Sequence, residues 1–226
     1  MLPSISSDIR HIAPGFRALS IEVKAAAVRS PQFGALALRE ACAAVLTGEP
    51  EWADAHLNAW SEVFRAFGAK PKRTPCSAEA LRKRVIRDGG MASLDPIVDL
   101  YNAVSLRYAI PVGGENLAAY VGTPELAIAD GTERFDTFKE GLPAVETPEA
   151  GEVIWRDEQG VTCRRWNWRQ GVRTRLSVTD RSMWFVLESL PQMPLEALYA
   201  AGQMLTEGVD TIMPGAECEL TLLGPL

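Results

Sequence analysis

The order in which two hydrophobic periods appear restricts the fold of this chain more than any other feature. Phe16 to Lys24 alternates, with Leu19, Ile21 and Val23 on one side and Ala18, Ser20 and Glu22 on the other, the period of a half-buried strand. Helical spacing then takes over. Ser30-Pro31 supplies a cap and first helical residue, after which Phe33, Leu36, Ala37, Ala41, Ala44 and Val45 recur before Gly48. Trp52, Ala59, Trp60, Val63 and Phe67 form a second apolar stripe ending at Gly68. A short helix starts near Ser77 with Leu81, Val85 and Ile86 inward, Arg82, Lys83, Arg84 and Arg87 in water, and a stop at Asp88-Gly89-Gly90. Asp95-Pro96 opens another helix to about Tyr108, its buried side made by Ile97, Tyr101, Val104 and Tyr108.

Extended patterns return only after this helical run. They fall at Leu126 to Ala129, Glu152 to Arg156, Val161 to Trp168, Met183 to Leu187 and Glu219 to Leu223, with one more helix from Pro194 to about Leu205. Asp157-Glu158-Gln159-Gly160 reads as a hairpin connection, and Gly141 through Gly151 as a loop. Helices precede and interrupt strands without a regular strand-helix repeat, which predicts an α+β fold, helices packed on antiparallel-rich sheet, over a doubly wound one. The 226 residues suffice for one domain spanning 1–226.

With 47% hydrophobic and 23% charged residues the chain has the composition of a stably folded protein. No apolar run approaches the roughly 20 residues that cross a bilayer, and the start MLPSISSDIRH lacks a secretory core, so a cytoplasmic protein without membrane association is expected. Cys42, Cys76, Cys163 and Cys218 lack the close pairing of metal or redox motifs and read as buried thiols. The two histidines, His11 and His56, exclude a histidine-rich metal site and accompany no nucleophile elbow. Neither a metal nor a cofactor is predicted.

The net charge of −6 argues against a surface basic all over, yet 13 of the 23 basic residues lie in two stretches. The first contains Arg65, Lys70, Lys72, Arg73, Arg82, Lys83, Arg84 and Arg87; the second runs from Arg164 to Arg175 with five arginines and no acid. Cys163-Arg164-Arg165-Trp166-Asn167-Trp168-Arg169-Gln170 is the sharpest feature. As a continuous strand it places Arg164, Trp166 and Trp168 on one side and Cys163, Arg165 and Asn167 on the other. Tryptophan can stack on a ring, arginine can hold an anion and asparagine can select by paired hydrogen bonds; equally, the indoles can pack in a core while the arginines bridge carboxylates. Asp99, Asn102 and Ser105 mark a polar edge on an apolar helix, a solvent face or a pocket wall, beside Val112-Gly113-Gly114-Glu115. That segment reads as a turn able to expose amide donors, although it has no phosphate-loop or dinucleotide signature, and Glu115 as a base, an amine ligand or an amide-satisfied helix-start carboxylate.

Several stretches together resemble the B3/B4 domain family, known from the editing region of the bacterial phenylalanyl-tRNA synthetase beta subunit and also from freestanding proteins. They are Ala80 to Ile86, Asp95 to Tyr108, Ile110-Pro-Val-Gly-Gly-Glu, Asp130-Gly-Thr-Glu-Arg-Phe, Gly151 to Trp155, Arg164 to Gln170 and Met183 to Leu187, spread over most of 67–205. The resemblance implies a B3/B4-like fold and a role with tRNA or aminoacyl-tRNA, including hydrolytic editing of a mischarged amino acid, without complete synthetase activity. The residues themselves, departing here from the synthetase editing pattern, give Asn102, Glu115 and Arg165 as a different catalytic constellation, Ser105, Gly113, Gly114, Arg164, Trp166, Asn167 and Trp168 around the substrate, and Lys70, Lys72, Arg73, Arg82, Lys83, Arg84 and Arg87 on RNA. The histidine of the synthetase editing pattern has no counterpart here. A non-catalytic RNA-binding module and a protein for a free amino-acid-like ligand are the alternatives.

Overall fold

The computed structural model describes residues 2–224. Two short elements, β1 (Ser4–Ile5) and α1 (Ile9–Ile12), lead into β2 (Arg17–Lys24), followed by α2 (Gln32–Leu46), α3 (Ala53–Ala66), α4 (Ser77–Asp88) and α5 (Pro96–Tyr108). The sheet-rich half comprises β3 (Val112–Asn116), β4 (Glu125–Ile128), β5 (Phe135–Lys139), β6 (Leu142–Glu146), β7 (Val153–Arg156), β8 (Val161–Arg164), β9 (Arg169–Gln170) and β10 (Ser182–Ser189). Helix α6 (Leu195–Ile212) and β11 (Glu217–Leu223) complete an α+β fold.

Two sheets share the work. One runs β11-β2-β10-β3 and is antiparallel throughout; the other runs β1-β4-β7-β8-β5-β6, with β9 added on β8. Strand β10 is buried along nearly its whole length because its two faces meet different layers. Met183, Phe185 and Leu187 belong to the core shared with α2, α5 and α6, whereas Trp184 and Val186 join a second core with Trp155, Trp166, Trp60 and Phe64. Period-2 alternation thus sends half of the strand to helices and half to the other sheet.

Local chemistry explains several joints. Asp95 caps α5 by accepting from the amides of Ile97 (2.8 Å) and Val98 (3.3 Å), and Pro96 occupies the first turn where no amide is needed. Gly34 lets α2 touch the start of α5, since a Cβ there would lie 2.1 Å from the Pro96 carbonyl oxygen. His56 is fully buried: its Nδ1 donates to the Ala109 carbonyl at 2.8 Å, and its Nε2 accepts from Trp60 Nε1 and the Leu190 amide. Burial lowers its pKa to about 4, so it serves as a neutral clamp between α3, the end of α5 and the exit of β10.

Several sequence expectations are corrected. Val112-Gly113-Gly114-Glu115 is an edge strand paired with Leu187 to Trp184, and its glycines allow close packing where a turn was expected. Glu115 is accordingly a strand residue, not a helix-start one. The loop 141–151 contains β6, hairpinned to β5 through Glu140 and Gly141 at φ 53° and 80°. Helix α6 continues beyond Leu205 because Val209 and Ile212 extend its buried stripe. Strand β8 ends at Arg164: Arg165 and Trp166 take φ of 45° and 64°, and this left-handed break abolishes the simple two-sided alternation through Trp168. Arg82 is buried and donates to the carbonyls of Glu49 (2.8 Å) and Leu106 (3.0 Å), away from the wet face expected for it.

Candidate functional site

The left-handed break after β8 turns three aromatic and polar residues toward the space between the sheets. There a cavity of about 270 Å³ is bounded by α4, α5, β3, β10 and the segment from Cys163 to Gln170. Trp155, Trp166, Trp168 and Tyr101 give it aromatic walls, while Glu115 and Glu188 supply charge; among the described residues no lysine or arginine lines it.

Glu188 is the most tightly held of these groups. Its Oε1 accepts from the indole N–H groups of Trp155 and Trp166, each at 2.9 Å, and its Oε2 accepts from Asn167 Nδ2 at 2.9 Å. Asn167 Oδ1 in turn faces the Ser77 amide at the start of α4, at 3.4 Å. Burial raises the Glu188 pKa to about 7 despite three donors, and the negative charge of Glu115 adds to the rise. The strand pattern puts Glu188 here: it follows Trp184 and Val186 at period 2, so it must face the other sheet.

Glu115 stands opposite Trp184 on the edge strand and shares that inter-sheet face. Its Oε2 accepts from the Tyr120 hydroxyl at 2.6 Å, and Tyr120 also reaches Thr162 Oγ1 at 3.2 Å. Burial lifts this carboxyl to about 7, against the pull of hydrogen bonding and of the Arg173 charge. Cys163 lies in the same cavity, and burial followed by the two carboxylate charges holds its thiol well above the ordinary range. Two carboxyls balanced near neutrality in an aromatic cavity that no cation lines among the described residues can bind an ammonium group, or exchange a proton with a reacting ligand.

The residues singled out in the sequence divide between places. Asn102, Gly113, Gly114, Glu115, Trp166, Asn167 and Trp168 border this cavity. Asn102 has no side-chain hydrogen bond among the described residues. Gln170 joins the group, its Nε2 bonded to the Gly114 carbonyl at 2.9 Å. Ser105 is instead buried against the end of α5, donating to the Ile110 carbonyl at 2.7 Å. Arg164 is committed to Glu152 and Glu146 at 2.8 to 3.0 Å. Arg165 stacks on Trp168, 4.6 Å from its ring, and borders a different cavity with Lys70 and Arg73; Lys72 is exposed on the same turn. On α4, Lys83 pairs with Glu79 (2.5 Å), Arg87 with Asp88 (2.7 Å), and Arg84 lies 3.9 Å from Asp88, so much of that basic face is neutralised by its own helix. Glu188 escaped the sequence reading, although an acid ending the apolar run Met183-Trp-Phe-Val-Leu was its visible signal.

A model of the B3/4 domain matches residues 59–198, which run from within α3 to the start of α6 and include both carboxylates of the cavity. No curated protein sequence matches the chain. Among solved structures, an N-terminal fragment of the phenylalanyl-tRNA synthetase beta-subunit from Pyrococcus horikoshii superposes with a TM-score of 0.48 at 8% identity. The superposition covers 99% of this chain and 54% of that fragment, so the chain spans about half of its length.

Proposed function

Because this chain belongs to the B3/4 domain family, we propose that the cavity between its sheets receives an amino acid, free or carried as the aminoacyl end of a tRNA. The observation that carries this reading is that Glu115 and Glu188 both line one cavity that no basic side chain borders among the described residues. An α-ammonium group entering there meets a carboxylate, that of Glu115, already desolvated by the fold. The indoles of Trp155, Trp166 and Trp168 offer surface to an apolar or aromatic side chain, and the unengaged amide of Asn102 is available to the ligand's carbonyl. Glu188, held by three donors, shapes the pocket; Glu115, with the Tyr120 bond, is the freer partner for the ligand.

Ester hydrolysis is the second reading, favoured by the near-neutral balance of Glu115. In that reaction Glu115 takes a proton from water as the water oxygen attacks the ester carbonyl. The tetrahedral intermediate then collapses, breaking the bond to the ribose oxygen, and Glu115 returns the proton to that leaving oxygen. Arg165 is outside this cavity and is assigned no part in the step. The test compares free aromatic amino acids, uncharged tRNA and aminoacyl-tRNA for binding and for amino-acid release, with the Glu115→Gln protein beside the wild type. Saturable amino-acid binding that Glu115→Gln weakens supports the pocket reading, and release of the amino acid supports hydrolysis. Equal binding of charged and uncharged tRNA with no free amino-acid binding overturns both.

A further inference from the structure

Beyond the wall formed by Trp166 and Trp168 lies a second cavity, of about 460 Å³, bordered by Phe67, Lys70, Arg73 and Arg165 together with Glu149 and Glu152. The two cavities are neighbours through shared aromatic contacts. Trp166 borders the first and packs against Phe67 of the second at 6.4 Å, while Trp168 borders the first and carries the guanidinium of Arg165 on its ring.

The basic side of this second cavity is built by a tight turn. The Lys70 carbonyl accepts from the amides of Arg73 (2.8 Å) and Thr74 (2.9 Å) and from Thr74 Oγ1 (3.3 Å). Pro71 and Thr74 are buried as anchors, which leaves Lys70, Lys72 and Arg73 projecting without a carboxylate partner among the described residues. The acids opposite do not cancel them. Glu152 is occupied by Arg164, by the Arg165 amide at 2.9 Å and, more loosely, by the Arg165 guanidinium at 3.8 Å, so Glu149 is the one unpaired acid bordering the cavity among the described residues. In a chain of net charge −6, uncompensated positive charge facing a polar cavity is a recognition feature for an anion.

The geometry points to a phosphoryl-binding site formed by Lys70, Arg73 and Arg165, adjoining the amino-acid pocket across the Trp166–Trp168 wall. This deepens and rests on the reading of the first cavity: a ligand with an aminoacyl group at one end and a phosphate nearby can occupy both. The phosphate belongs either to a free nucleotide or to an RNA end, and the two sources share the same contacts here. Arg165 is the hinge between the sites, because a phosphate that draws its guanidinium also acts on Trp168, a wall of the first pocket.

Isotope-labelled full-length protein titrated with inorganic phosphate, adenosine 5′-monophosphate, adenosine and a short single-stranded RNA tests this. The expected result is that the three phosphate-bearing probes shift the amides of Lys70, Arg73, Thr74 and Arg165 and that adenosine does not. The Lys70→Ala/Arg73→Ala protein loses about tenfold or more in affinity for each phosphate probe, and the loss shrinks as salt rises. Arg39→Ala, at an exposed position on α2, serves as the control and retains wild-type affinity. RNA bound more tightly than the mononucleotide assigns the phosphate to an RNA end, and the reverse assigns it to a free nucleotide. Shifts confined to other residues, equal shifts with adenosine, or affinities unchanged in the double variant overturn the site. Phosphate binding here with no amino-acid binding next door would refute the aminoacyl reading and leave this site standing, so the two failures are distinguishable.

Discussion

Trp166 donates its indole N–H to Glu188 across 2.9 Å, tying the left-handed segment after β8 to strand β10 of the opposite sheet. Trp166 is fully buried, and Glu188 is 1% exposed. A buried carboxylate that loses a donor cannot recruit water freely, so Trp166→Phe is expected to cost about 1 to 3 kcal/mol beyond the lost packing. The cost should be larger at pH 8, where Glu188 is ionised, than at pH 5. Urea unfolding at the two pH values checks this, and equal losses would show that the bond contributes little to holding the charge.

The Glu188 carboxyl sets a second expectation, for stability against pH. Its folded pKa of about 7 lies above the ordinary value of 4.5, so the folded state holds the extra proton between those limits. The stability this contributes is fully present below about 4.5 and is lost as pH rises through 7. Glu188→Gln keeps an acceptor but cannot ionise, so relative to wild type it should gain stability from pH 5 to pH 8, by roughly 3 kcal/mol at most. His56 works in the opposite direction, its lowered pKa withdrawing stability as pH falls from 6.5 through 4, but it is common to both proteins and cancels in the difference. A parallel pair of stability curves would refute the assignment.

These groups show where sequence reasoning reaches and where it stops. The cap at Asp95, the helical succession from Gln32 to Tyr108 and the strand within Phe16 to Lys24 were legible because each rests on local periodicity or on one capping side chain, although Ala18 and Ser20 are buried too, so the strand is not the half-buried one expected. Asn102, Gly113, Gly114 and Glu115 were legible as a group because helix α5 runs straight into β3. The break at Arg165 and Trp166 was not, since neither residue type announces φ above zero. Missing it put Arg164 and Arg165 at the site, where the structure turns one into a buried ion pair and the other toward a separate cavity. Glu188 was missed because an apolar run shows burial without showing which polar partners, distant by 21 to 33 residues, arrive to satisfy it.

Arg82 carries a prediction that its neighbours do not. Its guanidinium bonds the buried carbonyl of Leu106 near the end of α5 and the carbonyl of Glu49, and burial lowers its pKa, so removing it takes a donor from a buried acceptor and leaves a cavity. Arg82→Ala should destabilise by about 2 to 3 kcal/mol, whereas Arg84→Ala on the exposed face should stay within about 0.5 kcal/mol of wild type. Thermal or urea unfolding of the two single variants separates a structural arginine from a surface one.

Ligand binding should itself depend on pH through Glu115. An ammonium ligand prefers the ionised carboxylate, and with a pKa of about 7 that form is scarce at pH 5. Affinity for a free amino acid should therefore rise as pH increases toward 7, by about tenfold per pH unit for each proton displaced, and level off above it. Glu115→Gln should bind weakly with a flatter profile. Calorimetry in buffers of different ionisation enthalpy provides an independent reading, since proton release at pH 6 should accompany binding in the wild type and diminish in the variant.

The most direct test of the cavity fills it. Gly113 sits on edge strand β3 opposite Val186 and borders the pocket; a Cβ built there meets only Val186 Cγ1, at 3.1 Å. Its φ is not in the left-handed region, so a side chain brings no backbone strain. The strand pairs with β10 through main-chain groups, which a substitution leaves in place. Gly113→Leu should therefore fold, with Val186 yielding by a few tenths of an ångström, and should project its apolar side chain into the space between Glu115 and Glu188. Amino-acid affinity is expected to fall by about tenfold or more, equivalent to at least 1.4 kcal/mol. Gly114→Ala provides the contrast: a Cβ there lies 2.8 Å from two Tyr101 ring carbons on the helical side, so overpacking should cost about 1 to 3 kcal/mol of stability. If Gly113→Leu folds and binds amino acids as the wild type does, the ligand lies elsewhere and the pocket reading fails.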